Sequence, residues 1–142
     1  MDHFEEDDAG FMVGELLADR FLLTKLLGVG GVGEVYLAEH NVLGVKYAVK
    51  VLREALADDE VIVERFRREA YAASRLHHPN IVQTHDFGRT EDEELYIVME
   101  YVDGPSLREL IEGCAPGPPP LKRGLSILVQ LASALQQAHE AN

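Results

Sequence analysis

The spacing of hydrophobic positions changes several times along this chain, and each change marks an element. Residues 21–27 are mostly apolar and strand-compatible. Gly28, Gly30 and Gly33 interrupt that run, and Glu34-Val35-Tyr36-Leu37-Ala38-Glu39 resumes it with strand chemistry to about His40. Asn41-Val42-Leu43-Gly44 is a turn signal. Over residues 46–52 the pattern alternates: Tyr47, Val49 and Val51 face one way, Ala48, Lys50 and Leu52 the other. Residues 61–76 switch to helical spacing, with Ile62, Phe66, Ala73 and Leu76 on one stripe. His78-Pro79 stops that helix, because a residue before proline avoids the α region. Residues 81–89 and 94–101 predict two more strands, the second almost continuously apolar, as in a strand covered on both sides. Ser106-Leu107-Arg108-Glu109 has the spacing of a capping box, which predicts a short helix to about Glu112. A Pro/Gly-rich loop over 113–120 follows. Residues 121–141 predict a last helix with Leu121, Leu125, Leu128, Leu131, Ala132, Leu135 and Ala138 on one face.

Candidate chemistry gathers at the glycines and at Lys50. Glycine lets the backbone approach a ligand because it lacks a Cβ. Exposed N–H groups in such a turn can face phosphate oxygens, and a nearby lysine adds a point charge. The same spacing also suits a plain glycine-rich hairpin or a dinucleotide site. A dinucleotide site needs strand, glycines, then helix, with an acidic residue about 20 positions on. Here a strand follows the glycines, and the next strand carries Lys50 among small and apolar neighbours, which suits a pocket wall. Glu69 lies seven residues after Ile62, three after Phe66 and four before Ala73, at the centre of the apolar stripe. A carboxylate there is costly to bury without a cation, so Lys50 is its expected partner. The alternative is a glutamate reaching water at the stripe's edge.

Composition narrows the function classes. A length of 142 residues suits one ordinary domain, and 46% hydrophobic residues is an ordinary globular fraction. The formal net charge of −12 argues against general nucleic-acid binding and against docking on an anionic membrane. Cys114 is the single cysteine, which excludes an intrachain disulfide and fits a reducing, cytoplasmic setting. No apolar run is long enough to span a bilayer. The acidic start, Met1-Asp2-His3-Phe4-Glu5-Glu6-Asp7-Asp8, lacks a signal peptide's basic region and predicts a solvated, disordered tail over 1–13. The six histidines are scattered, without the spacing of a helical zinc site, and no metal ligand is assigned.

In this order the residues resemble the first part of a protein kinase domain, most similar to bacterial serine/threonine kinases of the eukaryotic-like (Hanks) type. The resemblance covers residues 21–142. Gly28, Gly30, Gly33 and Val35 match the glycine-rich loop, Ala48-Val49-Lys50 the lysine strand, and Glu69 the helix glutamate that pairs with that lysine. His78-Pro79-Asn80 matches the turn after that helix, Met99 the gatekeeper, and residues 100–102 the hinge. The resemblance implies an α+β fold. A small lobe with a five-stranded antiparallel sheet and one long helix occupies 14–99, a hinge 100–104, and the first helices of a truncated large lobe 105–142.

It also implies ATP as ligand and a protein substrate for the complete kinase. Val35 and Ala48 would roof the adenine, with the Glu100 carbonyl and the Val102 N–H and carbonyl at its edge. The backbone around Val29, Gly30, Gly31, Val32 and Gly33 would cover the phosphates, Lys50, paired with Glu69, would contact them, and Leu27, Gly28 and Met99 would also belong to the nucleotide site. The catalytic loop and the metal-binding aspartate have no match here, so Mg²⁺ ligands are absent and this polypeptide alone is expected to be inactive. Asp86-Phe87-Gly88 spells the metal-binding motif but precedes the hinge, so it reads as a coincidence, a strand end followed by a turn glycine. Two readings compete: the ATP-binding part of a serine/threonine kinase, or a non-catalytic module that binds a nucleotide or a partner. If nothing covers the leucine stripe of the last helix, self-association is expected.

Overall fold

The computed structural model describes residues 12–141. Among the described residues there are nine regular elements, eight of them at the periodicities above. They are β1 (Leu16–Leu17), β2 (Phe21–Val29), β3 (Gly33–His40), β4 (Lys46–Leu52), α1 (Glu60–Ser74), β5 (Thr84–Arg89), β6 (Leu95–Glu100), α2 (Leu107–Glu112) and α3 (Leu121–Glu140). A single turn of 3-10 helix at Glu54–Leu56 joins β4 to α1. The strands form one antiparallel sheet in the order β1-β2-β3-β4-β6-β5.

The sheet has six strands where five were expected. The extra one is β1, two residues long, pairing Leu16 with Leu22 and Leu17 with Phe21. Its turn places Ala18 and Asp19 at φ of 50° and 56°, a left-handed pair that closes a tight hairpin. Two apolar residues carry too little periodicity to be read as a strand. Of the acidic tail expected over 1–13, residues 1–11 lie outside the described residues, and Met12 packs against the core.

Alternation on β4 divides the sheet into two faces. Val49 and Val51 join Leu17, Phe21, Leu23, Tyr36, Ala38, Tyr96 and Val98 in one apolar cluster, with Tyr47 against it. Leu52 faces the other way and joins Phe66, Ala70, Leu95 and Ile97 beneath α1. Residues 95–98 of β6 are buried on both faces, which is why that strand reads as an unbroken apolar run.

Helix α1 starts where Asp59 accepts hydrogen bonds from the Val61 and Ile62 N–H groups at 3.0 and 3.2 Å. For α2, the Ser106 hydroxyl caps the Glu109 N–H while the Glu109 carboxylate accepts from the Ser106 N–H at 2.7 Å. Hydrogen bonds donated by the Ser106 N–H and, second, by its hydroxyl hold the Glu109 carboxyl below its ordinary pKa.

Helix α3 lies against the turn between α1 and β5 through a polar seam. Asn80 donates its amide to Gln130 at 2.8 Å, and His78 Nε2 lies 2.9 Å from the Ser133 hydroxyl. Ala134 is the buried residue of α3. The expected leucine stripe points away from this seam, and Leu121, Leu125, Leu128, Leu131 and Leu135 are all exposed.

Candidate functional site

The register of β3, β4 and β6 lines up one face of the sheet in rows. Val35 lies opposite Lys50, and Lys50 opposite Ile97. Leu37 lies opposite Ala48, and Ala48 opposite Met99. Helix α1 covers the part of this face around Leu52, Leu95 and Ile97. Val35, Ala48, Lys50 and Met99 stay half-buried beyond it, as one wall of the candidate cleft.

The β2–β3 turn caps one end of the cleft. Gly30 donates its N–H to the Gly33 carbonyl at 2.8 Å, which closes the hairpin. Among the described residues, the N–H groups of Gly31 and Val32 have no such partner. A Cβ on Gly28 or Gly31 would meet nothing within 4 Å, whereas one on Gly33 would overlap the Val51 carbonyl. None of these four glycines has a positive φ; among the described glycines only Gly14 and Gly44 do. The loop therefore uses the missing Cβ rather than left-handed backbone freedom. Leu27 and Val29 flank the turn at 40% and 52% exposure, open to whatever enters.

The Lys50 ammonium donates to Glu69 at 2.8 Å, across the gap between β4 and α1. The two ends differ in environment: the Lys50 side chain is 18% exposed and that of Glu69 55%. Glu69 thus sits at the water-facing edge of the helix. The expectation that it centres the apolar stripe is corrected, because the buried residues of α1 are Phe66 and Ala70. An ion pair this exposed contributes roughly 0.2–1 kcal/mol. A cycle of Lys50→Met, Glu69→Gln and the double variant, unfolded in urea, is expected to show coupling of about 0.5 kcal/mol. Strict additivity would mean that the contact contributes nothing to stability.

At the far end of the cleft, β6 runs out at Glu100. Its N–H donates to the Gln83 carbonyl at 2.8 Å, and its carboxylate accepts from the Gln83 N–H at 3.2 Å. Beyond it, Val102 is 61% exposed. Among the described residues neither its N–H nor its carbonyl is hydrogen-bonded. A flat ligand edge with one donor and one acceptor fits such a backbone.

Asp86-Phe87-Gly88 lies on β5, away from the cleft, and its three residues have structural work. Asp86 accepts from Arg20 at 2.7 Å, tying the start of β2 to the far edge of the curled sheet. Hydrogen bonds to Asp86 and Tyr96 push the Arg20 pKa up. The Phe87 ring lies 6.4 Å from that of Phe66. Gly88 pairs with Tyr96 and lacks the Cβ that would overlap the Tyr96 ring. It sits inside the strand, so the reading of a turn glycine at the strand end is corrected.

Two functional neighbours went unnoticed in the sequence. The Gln83 main chain holds Glu100 by both its N–H and its carboxylate, and a contact made by backbone alone leaves no mark in the sequence. Phe66 lies under Lys50; its place one turn before Glu69 was the available signal. Among the described residues, no cluster of histidine, cysteine or carboxylate side chains could hold a metal ion. No described helix is long and apolar enough to cross a membrane.

Comparison with known proteins agrees with this geometry. The protein kinase domain family matches residues 21–142. The serine/threonine-protein kinase PrkC of Bacillus subtilis is 44% identical over 129 residues, 91% of this chain and 19% of that protein. PknB of Mycobacterium tuberculosis is 43% identical over 127 residues, 87% of this chain and 20% of that protein. The crystal structure of the M. tuberculosis PknI kinase domain superposes with a TM-score of 0.71 at 36% identity, over 90% of this chain and 51% of that one. The chain therefore spans about a fifth of these curated relatives and half of that kinase-domain chain.

Proposed function

Since this chain belongs to the protein kinase domain family, we propose that its cleft binds ATP for phosphoryl transfer to serine or threonine hydroxyls of a protein substrate. The arrangement that carries the reading is a half-buried lysine, fixed to Glu69 at 2.8 Å, below a turn with unpaired N–H groups. In this reading Val35 and Ala48 cover one adenine face, beside Met99. The Glu100 carbonyl and the Val102 N–H and carbonyl meet the adenine edge. The Gly31 and Val32 N–H groups and the Lys50 ammonium meet the phosphates. Gly28 and Gly31 leave the phosphates room, since no atom lies where their Cβ would be.

Phosphoryl transfer rests on positioning and on stabilising developing charge, and these residues supply positioning. Mg²⁺ would supply neutralisation of the charge on the phosphates, as in kinases generally. Among the described residues no cluster could ligate it. Serine/threonine rather than tyrosine acceptors are supported by the relatives' names.

Calorimetric titration of the chain with ATP, ADP and adenosine tests the nucleotide part. Lys50→Met is expected to weaken ATP and ADP about tenfold and to leave adenosine unchanged. Gly31→Val should likewise weaken only the phosphate-bearing ligands. Equal affinity of all variants for ATP would sink the assignment of the turn and the lysine.

A further inference from the structure

Glu69 is not the only group that touches the Lys50 ammonium. Lys50 Nζ lies 5.7 Å from the centroid of the Phe66 ring, within the range where a cation is drawn to an aromatic face. Phe66 is 1% exposed and packs among Leu52, Ala70, Leu95 and Ile97, with the Phe87 ring beside it. Its ring has almost no freedom. The Glu69 carboxylate is more than half in water and can exchange its contact for solvent. The two residues are three positions apart on α1, so both reach Lys50 from the same helix.

We infer that Phe66 is a positioning residue for Lys50. Its ring holds the ammonium from the buried side while Glu69 holds it from the solvent side. The charge then stays aimed into the cleft when the carboxylate swings away. Leucine would fill much of the same space but lacks the electron-rich face. The consequence for phosphates rests on the nucleotide reading of the cleft; the contact itself does not.

The test keeps the ring's shape and changes its charge distribution. In the full chain, Phe66 is replaced by 4-fluoro-, 3,5-difluoro- and 3,4,5-trifluorophenylalanine, which progressively weaken the negative face. Affinity for ATP and ADP should fall stepwise, by about threefold to tenfold over the series, with adenosine affinity and the thermal midpoint nearly constant. Phe66→Leu should resemble the trifluoro variant. Flat ATP affinity across the series, or an equal loss for adenosine, would overturn the assignment. An independent readout is the proton shift of the Lys50 ε-methylene in ¹³C-lysine-labelled chain. A ring-current displacement abolished by Phe66→Leu supports the contact even if the parent chain binds no nucleotide. An undisplaced signal in the parent overturns it.

Discussion

Phe66→Ala is expected to remove about 3–5 kcal/mol of stability, through lost burial plus the cavity left behind. Ordinary domains have only about 5–15 kcal/mol to lose, so the variant should lie near or below the threshold of folding at ambient temperature. Phe66 is the large buried side chain that α1 presses into the sheet, between Leu52 and Leu95. The helix has little else: Ala70 is the other buried residue on it, and Ile62 and Val63 pack only partly. Loss of the ring therefore frees α1, and Glu69 goes with it. Urea unfolding monitored by circular dichroism measures the cost, with Tyr71→Ala on the exposed side as control, expected within about 0.5 kcal/mol of the parent. A Phe66→Ala midpoint within error of the parent would mean that α1 is held by something other than this contact.

Gly88→Ala is expected to cost about 1–3 kcal/mol, as overpacking of a filled site does. A methyl group there would overlap the phenol end of Tyr96, which is 4% exposed and built into the main apolar cluster. The ring has little room to move, and its hydroxyl already accepts from Arg20 at 3.4 Å. Tyr96→Phe removes the nearest atom and should recover part of the loss, so the pair should be non-additive. Thermal unfolding of the four variants decides it. If Gly88→Ala melts with the parent, the glycine is not required by its neighbour. This experiment also separates the two readings of Asp86-Phe87-Gly88, because a strand glycine under Tyr96 matters for folding and not for a metal.

What the sequence made legible was whatever a local period encodes. The opposite facing of Val49 and Lys50 follows from alternation alone, and the register confirms it by pairing Lys50 with Val35 and Ile97. The starts of α1 and α2 follow from side chains that reach their own backbone, Asp59 and Ser106. Apart from the Lys50–Glu69 pair, features that depend on a partner on another element were not legible. Gly88 needs Tyr96, Glu100 needs Gln83, and Asp86 needs Arg20, 66 residues away. The position of Glu69 failed for a different reason. A stripe of period 3.6 has a width, and residues three and four apart fall at its centre or its margin depending on how the helix rolls on the sheet. That roll is set by Phe66 and Ala70, and it leaves Glu69 at the margin. The leucine face of α3 was read correctly as a face, but its period does not say what lies opposite.

The seam between α3 and the turn after α1 has a mechanical side. Beside the buried Ala134 it has two side-chain hydrogen bonds, Asn80 to Gln130 and His78 with Ser133, at water-exposed positions. Water can replace either bond at a net change of about 1 kcal/mol, whereas apolar packing resists sliding because displaced contacts leave voids. Small rotations of the sheet over α3 should therefore meet little friction. Such a seam would let the helix serve as a wet bearing, holding the sheet while allowing it to tilt, with solvent as lubricant.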